Sequence, residues 1–380
     1  MRILELNKWL APGGGERFVV DLSNELAKIE NNKICVCTYI SEKNKKASFY
    51  KKELDDVVEY VNLNGKTDFF NQIINVIKVF LFIRRWKPDV VHCHLSAFYM
   101  CVIPCLLFKK IKFVNTLHNV AEKNIKPGFE KRIKSFLYKH GMKAVTISPF
   151  CYKTFSDYMG FNNTVMINNG CRNIRPTEAL KSVHEEVCSY KRSSSTKVFI
   201  NVARLHPQKN HVLLVEAFEK LILKGYDAIL IIIGSYEDRP DIIAKVKSLI
   251  YSDRVYLLGN KSNVSDYLLN SDIFCLSSKW EGAPISLLEA AFVGCFPIST
   301  PAGGCVDNIT SEEWGFLSKD FSVDEYEKML ELCFNAKLPS KEQISFIYKN
   351  KYSMKLCAQK YMQVFNNNAK MFEGEENDKK

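Results

Sequence analysis

The sequence VFINVARLHPQKN, residues 198–210, contains a complete passage from strand to helix. Its first residues are apolar and β-branched, which predicts a buried strand over 198–203. The periodicity then changes and predicts a helix over 210–224. Arg204 leaves the strand tip and Lys209 stands just before the helix, so two cations converge where a diphosphate could lie beside the helix N-terminus. Taken alone, these residues fit an ordinary surface loop equally well.

The same alternation of strand and helix extends in both directions from this stretch. Strands apolar on both faces and separated by helices predict parallel sheets covered by helices. The fold class is therefore α/β, with two Rossmann-like doubly wound parallel-sheet domains facing across a cleft. The predicted strands are 2–6, 34–39, 57–62, 89–93, 112–117 and 144–147 in the first half, and 198–203, 228–233, 254–258, 272–276 and 296–299 in the second.

The alternation is interrupted once, which predicts the domain boundaries. An N-terminal domain is expected at 1–172, and a C-terminal helix at about 353–366 is able to pack back on it. The polar stretch 173–196 ends in KRSSST and is interpreted as a linker. A C-terminal domain then covers 197–352, and residues 367–380 form a polar, disordered tail.

Composition is that of a globular protein in a reducing compartment. The chain has 380 residues, 47% hydrophobic and 25% charged, which is enough for two cores. Its 13 cysteines include no CxxC pair and are odd in number, which favours free thiols. The first residues begin a strand without the layout of a secretory signal, and no apolar stretch is long enough to span a bilayer. We therefore expect a cytoplasmic protein.

Charge is distributed unevenly along the chain. Residues 1–175 contain 28 Lys and Arg against 15 Asp and Glu, whereas residues 176–380 contain 25 against 27. Such asymmetry indicates that the first half faces something anionic: a membrane surface, a lipid diphosphate or a nucleic acid. The segments 80–87 and 129–139 interleave cations with apolar side chains, as interfacial patches on anionic lipid do. Each segment alone fits a solvated helix face nearly as well.

A second motif, SSKWEGAPISLLEA at 277–290, follows a predicted strand and opens a helix at Pro284. Glu281 precedes this helix, and Glu289 lies about one turn inside it. A carboxylate accepts hydrogen bonds from paired hydroxyls, so the two glutamates suit a ribose and a hexose on either side of a pyrophosphate. A solvated glutamate and a helix-face glutamate are the structural alternative, but the apolar neighbours of Glu289 make its burial without a partner costly.

The Arg-x4-Lys loop followed by Glu281 and Glu289 in an E-x7-E frame resembles the donor signature of retaining glycosyltransferase family 4, which has the GT-B fold. Further segments resemble that family over nearly the whole chain. They are the glycine loop 13–17, the strand-end histidine motifs 89–94 and 115–119, the hinge 169–170 and the late loop 300–304. Within that family, the chain resembles the bacterial surface-polysaccharide type.

The resemblance implies a role for each matching residue. The second domain binds the nucleotide-sugar donor, and the first binds the acceptor. The expected catalytic residues are His118, Arg204, Lys209 and Glu281. The expected donor-binding residues are Gly14, Gly15, Gly282, Ala283, Ser286, Leu287 and Glu289, and those on the acceptor side are Glu16, Arg17 and His94. Ala283 stands where the family often has an aromatic residue, which leaves the donor sugar undetermined.

Neither a metal nor a nicotinamide cofactor is expected. His92 and His94 share one strand face, but no third ligand stands at a suitable spacing, and no Asp-x-Asp occurs. Gly13 and Gly15 match the start of a GxGxxG fingerprint, but Phe18 replaces its third glycine, which disfavours a dehydrogenase. The resemblance implies that cationic side chains replace the ion.

The predicted function is a retaining, metal-independent glycosyltransferase that moves a hexose or N-acetylhexosamine. Its donor is a nucleotide-diphosphate sugar, with UDP favoured over GDP as the nucleotide. Its acceptor is a polyprenyl-diphosphate-linked saccharide of O-antigen, lipopolysaccharide or capsule synthesis. We expect peripheral contact with the anionic inner face of the cytoplasmic membrane and no nucleic-acid partner, because no recognised nucleic-acid-binding module accompanies the charge. A soluble transferase with a small sugar acceptor and a non-catalytic binding scaffold remain the alternatives.

Overall fold

A computed structural model describes residues 1–43, 45–161, 163–236 and 239–367. The chain forms two compact units. Unit 1 consists of Met1–Gly170 and Met354–Lys380, and unit 2 consists of Cys171–Ser353. The tail predicted at 367–380 lies outside the described residues except for Asn367.

Unit 1 contains a seven-stranded parallel sheet in the order β3-β2-β1-β4-β5-β6-β7. Its strands are β1 (Arg2–Asn7), β2 (Lys33–Ile40), β3 (Glu59–Gly65), β4 (Val90–His94), β5 (Lys112–Leu117), β6 (Met142–Thr146) and β7 (Thr164–Met166). The helices that follow them are α1 (Gly14–Ala27), α2 (Phe69–Trp86), α3 (Val102–Leu107), α4 (Ala121–Asn124), α5 (Phe129–His140) and α6 (Pro149–Met159).

Unit 2 contains a six-stranded parallel sheet in the order β10-β9-β8-β11-β12-β13. Its strands are β8 (Lys197–Val202), β9 (Ala228–Ile233), β10 (Val255–Gly259), β11 (Ile273–Leu276), β12 (Phe296–Ser299) and β13 (Phe316–Leu317). Its helices are α7 (Leu180–Tyr190), α8 (His211–Leu223), α9 (Pro240–Ser248), α10 (Val264–Leu269), α11 (Ile285–Phe292), α12 (Cys305–Asn308), α13 (Val323–Asn335) and α14 (Lys341–Tyr352).

The last helix, α15 (Met354–Phe365), belongs to unit 1 and packs on α1. Gly170 lies at this contact. A Cβ at Gly170 would stand 2.7 Å from the Cβ of Cys357 and 2.8 Å from the Cα of Met354, so only glycine lets the chain pass so close to α15.

The strands are buried as the predicted parallel sheets require. All six residues of β9 are buried, and so are the last five of β1. Sheets of this kind bind ligands beyond the carboxyl ends of their strands, at the point where the strand order reverses. That point lies between β1 and β4 in unit 1 and between β8 and β11 in unit 2, so the loops after these four strands are where a site is expected.

Residues 173–196 are not the free linker that the sequence predicted. Helix α7 lies in this stretch, and its Val183 and Val187 are buried in the core of unit 2. The chain instead passes from unit 1 to unit 2 between Gly170 and Cys171, and it returns to unit 1 between Ser353 and Met354. Two strands, β7 and β13, were also missed, because with three and two residues they carry too little pattern.

No helix among the described residues is long and apolar enough to cross a membrane. The longest apolar helix is the 18-residue α2, and its last turn contains the charged Arg84 and Arg85.

Candidate active site

In unit 2, the loops after β8 and β11 bring Lys209 and Glu281 together. Lys209 Nζ lies 2.5 Å from Glu281 Oε1. The Ser278 hydroxyl donates to the same carboxylate oxygen at 2.5 Å. Glu281 is only 6% exposed, so this pair is held in a place that bulk water reaches poorly. Its electrostatic interactions are therefore stronger than those of a surface pair.

Backbone contacts join the same two loops. The Lys279 amide donates to the Gln208 carbonyl at 2.7 Å, and the Gln208 side chain donates to the Trp280 carbonyl at 2.8 Å. The Ser277 hydroxyl donates to the Lys209 carbonyl at 2.8 Å. The position of Lys209 relative to Glu281 is thus fixed by the main chain and not by the ion pair alone.

Arg204 lies on the surface at the end of β8, and the described residues provide it with no ion-pair partner. The Arg204 charge acts on the neighbouring His206. Burial lowers the pKa of His206, and the charges of Arg204, Arg239 and Lys209 lower it further. Arg204 and Lys209 therefore place positive charge at one short loop, which suits an anionic ligand. Arg239, in a different loop just before α9, has its guanidinium paired with Asp241.

The N-terminus of α11 completes the site in unit 2. Pro284 is the residue before the helix, not its first turn as predicted, and α11 begins at Ile285. The first amides of a helix have no carbonyl partner one turn earlier, and those of α11 follow directly after the buried Gly282 and Ala283. Ser286, Leu287 and the half-buried Glu289 lie on the first turns of the same helix.

The late loop supports this arrangement from behind. The Gly304 amide donates to the Glu281 carbonyl at 3.1 Å, and the Thr300 hydroxyl donates to the Ser278 carbonyl at 2.5 Å. Unit 2 therefore gathers all its predicted site residues, Arg204, Lys209, Gly282, Ala283, Glu281, Ser286, Leu287 and Glu289, at the carboxyl edge of its sheet.

In unit 1, a buried group of polar side chains lies at the reversal between β1 and β4. Glu5, His92 and His94 are all 0% exposed. The Glu5 carboxylate lies 3.1 Å from His92 Nδ1 and 2.7 Å from His94 Nε2. His94 Nδ1 lies 3.0 Å from His118 Nε2. His118, just after β5, is partly exposed and packs edge-on against Phe18.

The other half of this group ends on α15. His92 Nε2 lies 2.8 Å from the Thr116 hydroxyl, which in turn lies 2.8 Å from the Tyr361 hydroxyl. Sequence analysis missed Glu5, Thr116 and Tyr361. A signal for Glu5 was available, since it is a charged residue inside the otherwise apolar strand RILELN.

Two residues predicted on the acceptor side have other roles. His94 is fully buried, so it reaches a substrate only through His118. Arg17 is also buried and forms ion pairs with Asp21 on the same helix and with Glu53, which lies in the loop between β2 and β3. These contacts use the guanidinium that the prediction assigned to the acceptor.

The glycine loop lies at the start of α1 as predicted. Gly14 and Gly15 are the first two residues of the helix, and Glu16 accepts a hydrogen bond from the Trp9 indole at 3.2 Å. A Cβ on Gly15 would stand 3.1 Å from a methyl carbon of Leu95, so a larger residue would press on the loop after β4. The glycines thus keep this edge of the sheet open.

The claim that His92 and His94 lack a third candidate ligand was wrong. Donor atoms of Glu5, His92 and His94 all lie within 4.8 Å of one another, close enough to hold a metal ion. The sequence could not show this because Glu5 lies on another strand. Hydrogen bonds between the Glu5 carboxylate and both rings also satisfy these buried side chains.

Two family models match the chain. The model described as Glycosyltransferase Family 4 matches residues 12–172, and the model described as Glycosyl transferases group 1 matches residues 185–351. Together they cover most of both units. The chain belongs to the family 4 type of GT-B glycosyltransferases. The predicted fold class, family and enzyme class are therefore confirmed.

Individual relatives agree with this assignment. An uncharacterised glycosyltransferase of Methanocaldococcus jannaschii is 28% identical over 246 residues, 61% of this chain and 60% of the relative. The match thus spans less than two thirds of that protein. The UDP-Gal:α-D-GlcNAc-diphosphoundecaprenol α-1,3-galactosyltransferase of Escherichia coli is 26% identical over 66% of this chain and 68% of its own length.

A solved structure has the same fold over almost the full length. HepE from Anabaena, crystallised with UDP-glucose, superposes with a TM-score of 0.80 at 17% identity, covering 97% of this chain and all of HepE. At this identity the likeness concerns the fold alone.

Proposed function

We propose that this glycosyltransferase takes a sugar from a nucleoside-diphosphate sugar, with UDP preferred to GDP as the nucleotide. It adds the sugar to a polyprenyl-diphosphate-linked saccharide with retention of the anomeric configuration. The observation that carries the proposal is the Lys209–Glu281 pair at the carboxyl edge of unit 2, with Arg204 exposed beside it. One cation and one carboxylate side by side suit a ligand that presents both phosphate oxygens and sugar hydroxyls.

In this proposal, the diphosphate binds to Arg204, Lys209 and the first amides of α11. These groups stabilise the negative charge that grows on the leaving phosphate as the glycosidic bond breaks. Glu281 orients hydroxyls of the transferred sugar, and Glu289 binds the ribose. The helix N-terminus adds a positive partial charge without a proton to lose.

The transfer needs no protein base. The bond from the sugar C1 to the phosphate oxygen breaks, and the acceptor oxygen forms its bond to C1 on the same face. The acceptor proton passes to the departing phosphate, which leaves as the nucleoside diphosphate. In unit 1, we propose that His118 accepts a hydrogen bond from a hydroxyl of the bound saccharide. The charge on the phosphate is balanced by Arg204 and Lys209, so we propose that no catalytic metal is required.

A lipid-linked acceptor is supported by an exposed apolar face on α2. Phe70, Ile73, Ile74, Ile77 and Leu81 recur on one side of the helix and are between 45% and 78% exposed. We call these five residues the apolar face. Exposed apolar side chains grouped on one face of a helix often mark a contact with a membrane or a partner protein. The helix ends in the exposed Arg84 and Arg85, which suit anionic headgroups.

A cavity lies beside the apolar face. It has a volume of about 420 Å³, and Ile73 lines it together with Tyr99 and Lys8. Lys8 follows β1, so the cavity is at the carboxyl edge of the sheet in unit 1. Apolar walls with one cation suit the first isoprenoid units and the diphosphate of a polyprenyl carrier. The name of the E. coli relative, which describes a diphosphoundecaprenol acceptor, supports the same class of substrate.

Helix α5 contains the segment 129–139, the second of the two segments predicted to contact lipid, and it suits that role less well than α2, which contains most of the segment 80–87. Lys134 is buried, and its ammonium donates to the Asn124 carbonyl at 3.0 Å and pairs with Glu130. Lys131 and Lys139 lie over the rings of Tyr158 and Phe161. These cations hold the fold of unit 1 together, so the proposed contact with anionic lipid moves to α2.

The donor is tested with a panel of UDP- and GDP-sugars, by thermal stabilisation of the protein and by slow hydrolysis of the donor. We expect a UDP-sugar to stabilise the protein and to be hydrolysed. A preference for GDP-sugars would contradict the proposed choice of UDP. If no nucleotide sugar stabilised the protein, the proposed donor site would be contradicted. A small free sugar that accepts the transfer as fast as a lipid-linked saccharide would favour the soluble alternative.

A further inference from the structure

The hydrogen bonds around Glu5 can be assigned a direction. Both carboxylate oxygens of Glu5 face ring nitrogens, at 3.1 Å from His92 Nδ1 and 2.7 Å from His94 Nε2. A carboxylate can only accept hydrogen bonds. His92 must then donate from Nδ1, and His94 must donate from Nε2.

The direction continues to His118. A neutral imidazole carries one N–H, and that of His94 points to Glu5, so His94 Nδ1 has only a lone pair. The neighbouring His118 Nε2 must therefore carry the proton that lies between the two rings. With that proton on Nε2, the neutral ring of His118 has an unprotonated Nδ1. No hydrogen-bond partner for this Nδ1 is found among the described residues.

We infer that Glu5 is a positioning residue which, acting through His94, fixes His118 as the Nε2–H tautomer and leaves its Nδ1 as a hydrogen-bond acceptor for a sugar hydroxyl. The inference rests on the proposed function for the ligand of His118, but the tautomer itself does not depend on it. A histidine held by a carboxylate in one tautomer has its orientation and its acceptor fixed before substrate arrives.

The second branch offers a matched control. Thr116 and Tyr361 extend the network from His92 towards α15 and do not lie between Glu5 and His118. Tyr361→Phe removes one hydroxyl from this branch and keeps the ring that packs against Phe18. The control therefore disturbs the same buried group without changing the route to His118.

The test is nitrogen NMR on the full-length protein with 15N-labelled histidine, with the His118 signals assigned by their loss in His118→Asn. In the wild type we expect a protonated Nε2 and an unprotonated Nδ1 on His118. Glu5→Leu removes both acceptor oxygens, so we expect the His118 tautomer to be no longer fixed and protonated Nδ1 to appear, whereas Tyr361→Phe should leave the tautomer as in the wild type. A wild-type His118 protonated at Nδ1, or an unchanged tautomer in Glu5→Leu, would overturn the inference.

Turnover supplies the second measurement and separates a positioning role from a structural one. We expect Glu5→Leu to lower kcat about tenfold or more, because a histidine that is no longer held in one tautomer loses most of its catalytic effect. In the His118→Asn background, the same change should cost almost nothing further. An equal loss in both backgrounds would overturn the inference. If the chain transfers no sugar at all, the proposed function fails while the NMR result still decides the tautomer.

Discussion

Lys209 and Glu281 are 72 positions apart in the sequence, yet their charged atoms lie 2.5 Å apart at the carboxyl edge of one sheet. The pair joins the two motifs on which the prediction of function depended. A cation that is already paired keeps its position, and it can share its remaining donors with a phosphate. The carboxylate keeps a second oxygen for a hydroxyl of the ligand.

Removal of either cation is expected to slow the reaction. Arg204→Ala and Lys209→Ala should each reduce turnover by roughly a hundredfold or more, because each removes a charge from the leaving diphosphate. Initial rates of sugar transfer at saturating donor measure this effect. Lys279→Ala is the matched control, since Lys279 is an exposed cation in the same loop region and only its backbone amide is engaged with Gln208. Near-normal turnover in both site variants would remove the proposed site.

The same two variants should differ in stability. Arg204 is exposed, so its loss should leave Tm unchanged. Lys209→Ala leaves the buried Glu281 without its cation and should cost about 1–3 kcal/mol of folding free energy. The double variant Lys209→Ala with Glu281→Gln should recover part of this loss, because the remaining side chain is neutral. Thermal unfolding of the wild type, Lys209→Ala, Glu281→Gln and the double variant, compared at one pH, tests this coupling. Arg204→Ala is measured beside them.

The two glutamates are expected to affect different kinetic constants. Glu289→Gln should mainly raise KM for the donor, since the ribose is held equally in the ground state and the transition state. Glu281→Gln should raise KM and lower kcat, because it contacts the reacting sugar. Steady-state kinetics with varied donor separate the two effects. The opposite pattern would mean that the roles of the two residues are exchanged.

Chelation tests the proposed absence of a catalytic metal. We expect full activity after treatment with a chelator and no metal bound in stoichiometric amount when the purified protein is analysed. The second measurement is needed because Glu5, His92 and His94 are close enough to hold an ion. Activity that disappears with the chelator and returns with one divalent ion would contradict the proposed mechanism.

The apolar face predicts a specific effect on membrane binding. Phe70→Ser, Ile77→Ser and Leu81→Ser together should lower binding to anionic vesicles about tenfold or more, because each side chain loses part of a transfer energy of about 1.5–3 kcal/mol. Binding should also rise with the anionic lipid content and fall with salt. Vesicle sedimentation measures all three effects.

Leu223→Ser is the control for this prediction, since Leu223 is 82% exposed but belongs to unit 2. Donor hydrolysis should survive in the triple variant, because the donor site is not touched. Vesicle binding that equals that of the wild type would show that the face has another partner. Replacing the cations of α5 is a poorer test, because Lys134 is buried and its loss would disturb the fold.

The regular part of the fold could be predicted because buried parallel strands have a strong local signal. The strands 112–117, 228–233 and 296–299 have the bounds that the sequence predicted. Helix α7 was missed because only Val183 and Val187 mark its buried side within a polar segment. Such a short apolar pattern indicates a helix only when there is a core for it to cover.

The site in unit 2 could be predicted because its residues are grouped in two short motifs. The group in unit 1 could not, because Glu5, His92 and Thr116 are neighbours only through the order β1-β4-β5 of the sheet. The cations of α5 were misjudged for a related reason. A long lysine side chain can turn inward to a carbonyl, as Lys134 does to Asn124, and the sequence pattern does not record that direction.

In the proposed mechanism, Arg204 and Lys209 of unit 2 take the place of a metal ion in transferring a sugar to a lipid-linked acceptor. Its most direct test is transfer of a labelled sugar from a UDP-sugar to a polyprenyl-diphosphate-linked saccharide, in excess chelator, by the wild type and by Arg204→Ala and Lys209→Ala. We predict labelled lipid with the wild type, with the anomeric configuration of the donor, and roughly a hundredfold less with either variant. No labelled lipid until a divalent ion is added, or equal labelling by all three proteins, would contradict the claim.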